Sequence, residues 1–534
     1  MIELGEAFVA SGWLGRKVSA ESLSWPNGGG DLLPLLLDAA DDKQARLLAW
    51  ACQSGARLTL GWPGNDHPRV DCWLGPRLMW WPRGVPQGRK VAWVSSRLGR
   101  AIDQRPDWFA VLRSATAKID PDRDVLLTAS GTTVDRFLER AAILFGLRRL
   151  RLQLDERRTL VDWLTRLRRQ LWRSSLGRED VTSRAGHHES ASLSAEVFVS
   201  PVIGTATISE SSRDIPCAVS QDAADGTWNV PATLPLGDRV LIAAADQVLA
   251  LQVRPNGNLH QLLRARLSDS AWPTASVWLA LGEALVPAEV AGELQSLGAI
   301  GWWLFAEQVS SGLESSPSHH TLESRDSITE MLWSDGDYLV HWTRRRDGPW
   351  PGQSEADFVD DLLLSRETTN HSAFATLSRI VQQRRLIASA AGIRGDAAVV
   401  SFSACPLHEL TQRRAFRPHR IRWDYEAYGL CVRREWLQSR GAKPVIYGDD
   451  DQWTTLADSD RPYFQLKTTR SRGGAKTIDW SLEEEWRVPQ DLDLSAASRD
   501  DVLLFVPTIA EAQQITAISP WRVLVLNSSL QSPE

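Results

Sequence analysis

The chain has 534 residues, a formal net charge of −6, 43% hydrophobic residues and 24% charged residues. One hydrophobic core stops growing near roughly 250–300 residues, so several domains are expected. The charge balance excludes a globally basic nucleic-acid binder and leaves only local basic patches to consider.

The five cysteines (Cys52, Cys72, Cys217, Cys405, Cys431) form no C-x-x-C pair. No metal site is therefore expected, and a reducing compartment is. The first residues lack the basic-then-apolar pattern of a signal peptide. No apolar run reaches the roughly 18–20 residues a membrane span needs. The expected location is the cytoplasm, with no membrane partner. Tryptophan is abundant, 25 against 5 Tyr and 12 Phe; most indoles should lie in cores with their N–H groups bonded.

Two stretches rich in Ser, Gly and charge, 174–196 and 308–329, read as linkers, because they hold too little apolar surface to fix a core. They divide the chain into blocks 1–175, 195–307 and 330–534. In the first block, 90–95 is an apolar run suited to a buried parallel strand. A small-residue loop and a helix over 108–117 follow. Residues 124–128 form a second strand, 129–133 a turn, 134–145 a helix with apolar residues at helical spacing, and 150–154 a third strand. Strand–helix–strand–helix–strand is the grammar of a doubly wound sheet.

The segments V-S-S-R-L-G-R at 94–100 and L-L-T-A-S-G-T-T-V-D-R at 126–136 resemble the Rossmann-like superfamily that includes DprA and the LOG nucleotide hydrolases. The Gly-Gly-x-x-Gly catalytic signature of the LOG enzymes is absent, so the resemblance implies nucleotide or phosphate binding rather than hydrolysis. Ser96, Arg97 and Gly99 in the first loop, and Gly131, Thr132 and Thr133 in the second, are the candidate binding residues. Backbone N–H groups opening a helix attract anions, and Arg97 would add charge. The alternative is an ordinary turn in which Thr132 or Thr133 caps the helix.

At the end of this block, 148–173 holds nine arginines against Asp155, Glu156 and Asp162. Leu160, Trp163, Leu164, Leu167 and Leu171 make an apolar stripe. The segment reads either as a packed helix with a solvated face or as a contact surface for DNA or RNA. The middle block repeats the grammar: strands at 238–245, 249–253, 276–281 and 300–305, with helices at 259–267 and 286–297. One or two Rossmann-like parallel-sheet domains are therefore expected.

The third block opens with a short strand, 338–343, that places His341 and Thr343 on one face. An amphipathic helix over 374–383, a strand at 397–402, a helix at 406–415 and strands at 430–433, 444–447, 501–506 and 523–526 follow. Residues 478–488 hold the densest acidic motif. On a strand, Glu483 and Glu485 share a face and Glu484 opposes them. Two carboxylates on one face raise each other's pKa, which suits acid–base work. An α+β domain with split sheets is expected. The alternative for the motif is an edge strand with solvated carboxylates and one ion pair, and His341 alone is more often structural. No P-loop, serine elbow or H-E-x-x-H is present.

H-x-T at 341–343, a helix and R-R-L-I-A-S at 384–389 resemble the opening of DarT-type ADP-ribosyltransferases. Y-G at 428–429, P-V-I-Y at 444–447 and W-S-L-E-E-E-W-R at 480–487 are similar to a bacterial family described mainly as a domain of unknown function. Glu483-x-Glu485 also resembles the E-x-E element of arginine-type ADP-ribosyltransferases. The DarT tyrosine-rich NAD-binding segment is not recognisable. The resemblance implies NAD as cofactor and a carboxylate stabilising an oxocarbenium-like centre, Glu485 being the candidate. It further implies His341 and Thr343 at a ribose, Tyr425 or Tyr428 stacked on nicotinamide, and Arg487 on a pyrophosphate or paired with Glu485. Such a protein would be a bacterial effector of the toxin or antiviral-defence kind, modifying nucleic acid or protein under control of nucleotide-sensing domains. Two other expectations stand beside it: a non-catalytic nucleotide- or nucleic-acid-binding protein, and a nucleotide-processing enzyme centred on the N-terminal loops. A homo-oligomer is compatible with all three.

Overall fold

The computed structural model describes residues 2–15, 18, 25, 29–63, 70–99, 102, 105–175, 194–203, 220–221, 228–229, 233–273, 275–282, 284–303, 337–407, 416–417, 422–423, 426–470 and 477–526. Most of both expected linkers, most of the helix expected over 406–415, and Tyr425 lie outside the described residues. Two compact units emerge: Met1–Val309 with Val359–Ser365, and Ser310–Phe358 with Arg366–Glu534.

The first unit is built on one nine-stranded sheet. Its strands are β1 (Arg57–Leu60), β2 (Leu78–Trp81), β3 (Arg89–Ser95), β4 (Asp124–Ala129), β5 (Arg149–Leu154), β6 (Ser194–Val199), β7 (Gln247–Gln252), β8 (Val277–Leu281) and β9 (Ile300–Trp303), in the order β1-β2-β6-β5-β4-β3-β7-β8-β9. From β6 to β9 all neighbours are parallel; β1 and β2 add an antiparallel margin. The first two expected blocks thus share one sheet. Strand order reverses between β3 and β7, which is the switch point of a doubly wound arrangement. The strands read as continuous apolar runs because helices cover both faces. One face packs against the helices Leu236–Ala244, Asn258–Ser268 and Ala288–Ser296. On the β1–β2 side, Leu58, Leu78 and Trp80 pack with the N-terminal helices and with Leu160–Ser175.

One expected strand is a helix. The run 238–245 falls in Leu236–Ala244, eight of whose nine residues are buried. A helix apolar all round shows no period, so pattern alone does not separate it from a buried strand. The basic helix Leu160–Ser175 buries Trp163, Leu164, Leu167 and Leu171 and leaves Arg166, Arg169 and Arg173 exposed. The indoles behave as expected of core residues: Trp13 donates to the Leu164 carbonyl at 2.9 Å and Trp81 to Thr59 Oγ1 at 3.1 Å.

In the second unit, seven strands gather in one mostly antiparallel sheet. They are β10 (Tyr338–Trp342), β11 (Val399–Ser403), β12 (Gly429–Arg433), β13 (Lys443–Pro444), β14 (Glu485–Pro489), β15 (Val502–Val506) and β16 (Arg522–Val525), ordered β13-β14-β11-β10-β12-β15-β16. Two-stranded ladders stand apart from it. One face, with Leu339, Phe402, Leu430 and Val488, packs against the helices Ala373–Gln383 and Ile509–Thr516. The other carries Val340, Cys431, Leu503 and Phe505. Among the described residues no helix is long and apolar enough to cross a membrane.

Candidate functional site

The acidic motif does not form one strand. Trp480–Glu483 is a 3-10 turn, Glu484 adopts the left-handed conformation at φ 44°, and β14 begins only at Glu485. The expected shared strand face of Glu483 and Glu485 is therefore corrected: the left-handed residue breaks the alternation. Glu483 turns its carbonyl to Ser403 Oγ at 2.8 Å. Glu485 is held by Arg487, whose Nε and Nη2 each lie 3.0 Å from one carboxylate oxygen. Arg487 is buried. Its other N–H groups donate to the carbonyls of Pro462 and Phe464 and to Gln465 Oε1. All five guanidinium donors are thereby placed, which leaves Arg487 none for a pyrophosphate. Tyr447 Oη accepts from the Glu485 amide at 2.9 Å. Burial pushes the Tyr447 hydroxyl up to about 12, and the charges of Glu485 and Glu483 add to the rise.

His341 lies elsewhere. In register, Glu485 faces Ser403, and Ser403 faces Val340. Registered partners share a sheet face, and the next residue along a strand points to the other. Glu485 and Val340 are thus on one face and His341 on the opposite one, two strands away. His341 Nδ1 meets the Ser401 carbonyl at 2.9 Å. A carbonyl only accepts, so Nδ1 carries the proton and Nε2 the lone pair. Burial holds its pKa down to about 4, partly offset by the Ser401 bond and reinforced by Arg344; the ring is neutral at pH 7. Thr343 and Tyr428 lie beside it: the Thr343 amide donates to the Tyr428 carbonyl at 2.9 Å. The Tyr428 hydroxyl donates to Glu511 Oε1 at 2.7 Å. His341 and Glu485, the pair expected to share a cofactor, therefore lie on opposite faces of the sheet.

In the first unit the candidate residues do converge, at the carboxyl edge of the parallel sheet. Ser95 ends β3, and its Oγ accepts the Trp108 indole N–H at 3.1 Å. The Ser96 amide donates to the carbonyl of Gln252, the last residue of β7, at 2.9 Å. Ser96 Oγ accepts the Arg254 amide at 3.1 Å. Arg254 Nη2 donates to the Arg97 carbonyl at 2.6 Å, and Arg105 Nη2 to Gln252 Oε1 at 3.1 Å. The ends of β3 and β7 are thus stitched together, and three arginines reach the switch point. Gly99 and Gly131 take φ of +82° and +83°, and an added Cβ at either meets open space.

Neither threonine caps the next helix. Thr132 Oγ1 returns to the Ala129 carbonyl at 2.8 Å, the N-cap is Val134 without a side-chain bond, and Thr133 follows Thr132 in the turn. Asp135 supplies the first helical turn with a carboxylate of its own, paired with Arg149 at 3.3 Å and Arg151 at 2.7 Å. Across the turn lies the start of Leu236–Ala244: a Cβ on Gly237 would come within 2.7 Å of Thr132 Cγ2. The next residue, Asp238, is half-buried. Burial pushes its carboxyl up to about 6, while the nearby charge of Arg97 pulls it down.

Sequence reasoning missed Asp238, Arg254 and Arg105. Pro235 followed by an acid at Asp238 was a helix-start signal, and Arg254-Pro-Asn-Gly after an apolar strand was a loop signal. Against known proteins, no protein-family model, no curated protein and no solved structure matches this chain.

Proposed function

We propose that the first unit binds an anionic, nucleotide-type ligand at the carboxyl edge of its sheet, where the strand order reverses between β3 and β7. The observation that carries this reading is that Arg254 bonds the Arg97 carbonyl at the end of β3 while Asp238 lies within reach of the Arg97 charge. Ligands of open parallel sheets sit at such switch points. A carboxyl raised by burial beside an arginine, in such a place, is a mark of a site. Arg97 and Arg254 would take the phosphates, and Asp238 would face hydroxyl groups of a ribose. The Gly99 and Gly131 turns leave the backbone open to close approach.

The transferase reading has less support. The pair expected to share NAD, His341 and Glu485, points to two faces of one sheet, and Glu485 is engaged by Arg487. The contacts at the end of β3 and β7 support binding by the first unit.

The test is calorimetric titration of the full chain with AMP, ADP and NAD. Saturable binding of at least one is expected, weakened about tenfold or more in Arg97→Ala by loss of a charge-assisted contact, with the circular dichroism spectrum unchanged. Binding of none of them, or undiminished binding by Arg97→Ala, overturns the proposal.

A further inference from the structure

The second unit carries a cluster of arginines that the functions considered above leave unused. Arg344, Arg345 and Arg346 follow Thr343 at the end of β10, and Arg379 comes from the helix Ala373–Gln383. Arg346 and Arg379 are half-buried. Arg346 is held below its usual range first by burial and then by the charge of Arg379, with no carboxylate among the causes. Arg379 lies over the Trp350 ring at 5.0 Å, and Trp350 packs on His371 at 4.3 Å. The Arg346 amide donates to the His371 carbonyl at 3.0 Å, and its Nε donates to the Pro349 carbonyl. These contacts hold the two guanidiniums on one small scaffold. Asp347 lies 3.9 Å from the Arg345 Nε, and Glu426 accepts the Arg345 backbone amide at 3.3 Å. The Thr343 hydroxyl is buried and has no hydrogen-bond partner among the described residues.

Two half-buried guanidiniums of like charge, with no carboxylate between them among the described residues, are unfavourable alone and favourable around an anion. A buried hydroxyl without a partner is unfavourable until something bonds it. We propose that Arg346, Arg379 and Thr343, with the exposed Arg344 at the rim, form a binding site for a dianionic phosphoryl group. The guanidinium fork matches phosphate oxygens, and a dianion balances two arginines where a carboxylate balances one. This site lies within the second unit and does not depend on the first-unit proposal.

The probe is inorganic pyrophosphate, titrated calorimetrically into the full chain at matched ionic strength with sodium chloride as control. The Arg97→Ala background removes the first-unit site from the signal. Saturable binding is expected there, weakened about tenfold by Arg346→Gln or Arg379→Gln and less by Thr343→Val. Pyrophosphate should also raise the thermal midpoint of the Arg97→Ala chain, a readout that needs no second variant. Absence of saturable heat and of any midpoint shift overturns the proposal. So does equal binding by the folded Arg346→Gln and Arg379→Gln chains.

Discussion

Arg487 shows how one side chain decides the meaning of a motif. Buried, with five donors placed, it ties β14 to residues 462–465 and holds the Glu485 carboxylate with two of its bonds. Removing one partner of such a pair leaves the other buried and uncompensated, at roughly 3–5 kcal/mol. Arg487→Leu should lose about that much in urea unfolding. Glu485→Gln should lose about 1–3 kcal/mol, and the double variant less than the sum, because the two share one interaction. Undiminished stability in Glu485→Gln would mean that the carboxylate is not held and is available for chemistry. The left-handed Glu484 explains why the motif misled. A period-two face requires extended backbone throughout, and nothing in three successive glutamates marks the middle one as the exception.

At the scale of elements, the helix Leu236–Ala244 positions Asp238 by docking its first turn on Thr132. The consequence is a pH dependence whose sign follows from the shift. The folded-state pKa, about 6, lies above the ordinary aspartate value of about 3.9. The folded state therefore holds the proton more tightly. The stabilisation is fully present below about pH 4 and is lost as pH rises through about 6. Asp238→Asn does not titrate. Compared with it, the natural chain should lose relative stability between pH 4 and 6, with a constant difference above that; thermal midpoints across pH 4–8 read this directly. A difference that does not vary with pH would place Asp238 in solvent.

The elements also show what was legible. β3, β4, β7 and β8 were readable because a strand buried on both faces is a short apolar run bounded by turn residues. The loop with Arg97 was readable for the same reason, since it follows such a strand. Asp238 was not, because the apolar run around it has no period and reads as strand. The partners of Arg487 were not either: Pro462, Phe464 and Gln465 lie more than twenty residues away, and only tertiary packing brings them in.

For the whole molecule, two units with separate cores predict two unfolding events. Scanning calorimetry of the full chain should give a calorimetric enthalpy larger than the van't Hoff value. The nucleotide identified by titration should stabilise the first unit's transition by roughly 2.7 kcal/mol at a hundredfold excess over Kd, and Arg97→Ala should remove that effect. A single transition with equal enthalpies would show that the units unfold as one. The expected boundary near residues 175–195 separates no cores, because strands on either side of it alternate in one sheet.

That interleaving has a consequence for how the chain is made. β3 pairs on one side with β4, which follows soon after, and on the other with β7. The Lys90 amide that bonds Asp246 must wait for a residue 156 positions later. At roughly 5–20 residues per second, the ribosome needs about 8–30 s to deliver it. For that time the centre of the sheet is a growing margin with an apolar open edge, the kind of surface that pairs with other chains. Nascent copies of this protein should therefore depend on chaperones most steeply while the stretch between β3 and β7 is being synthesised.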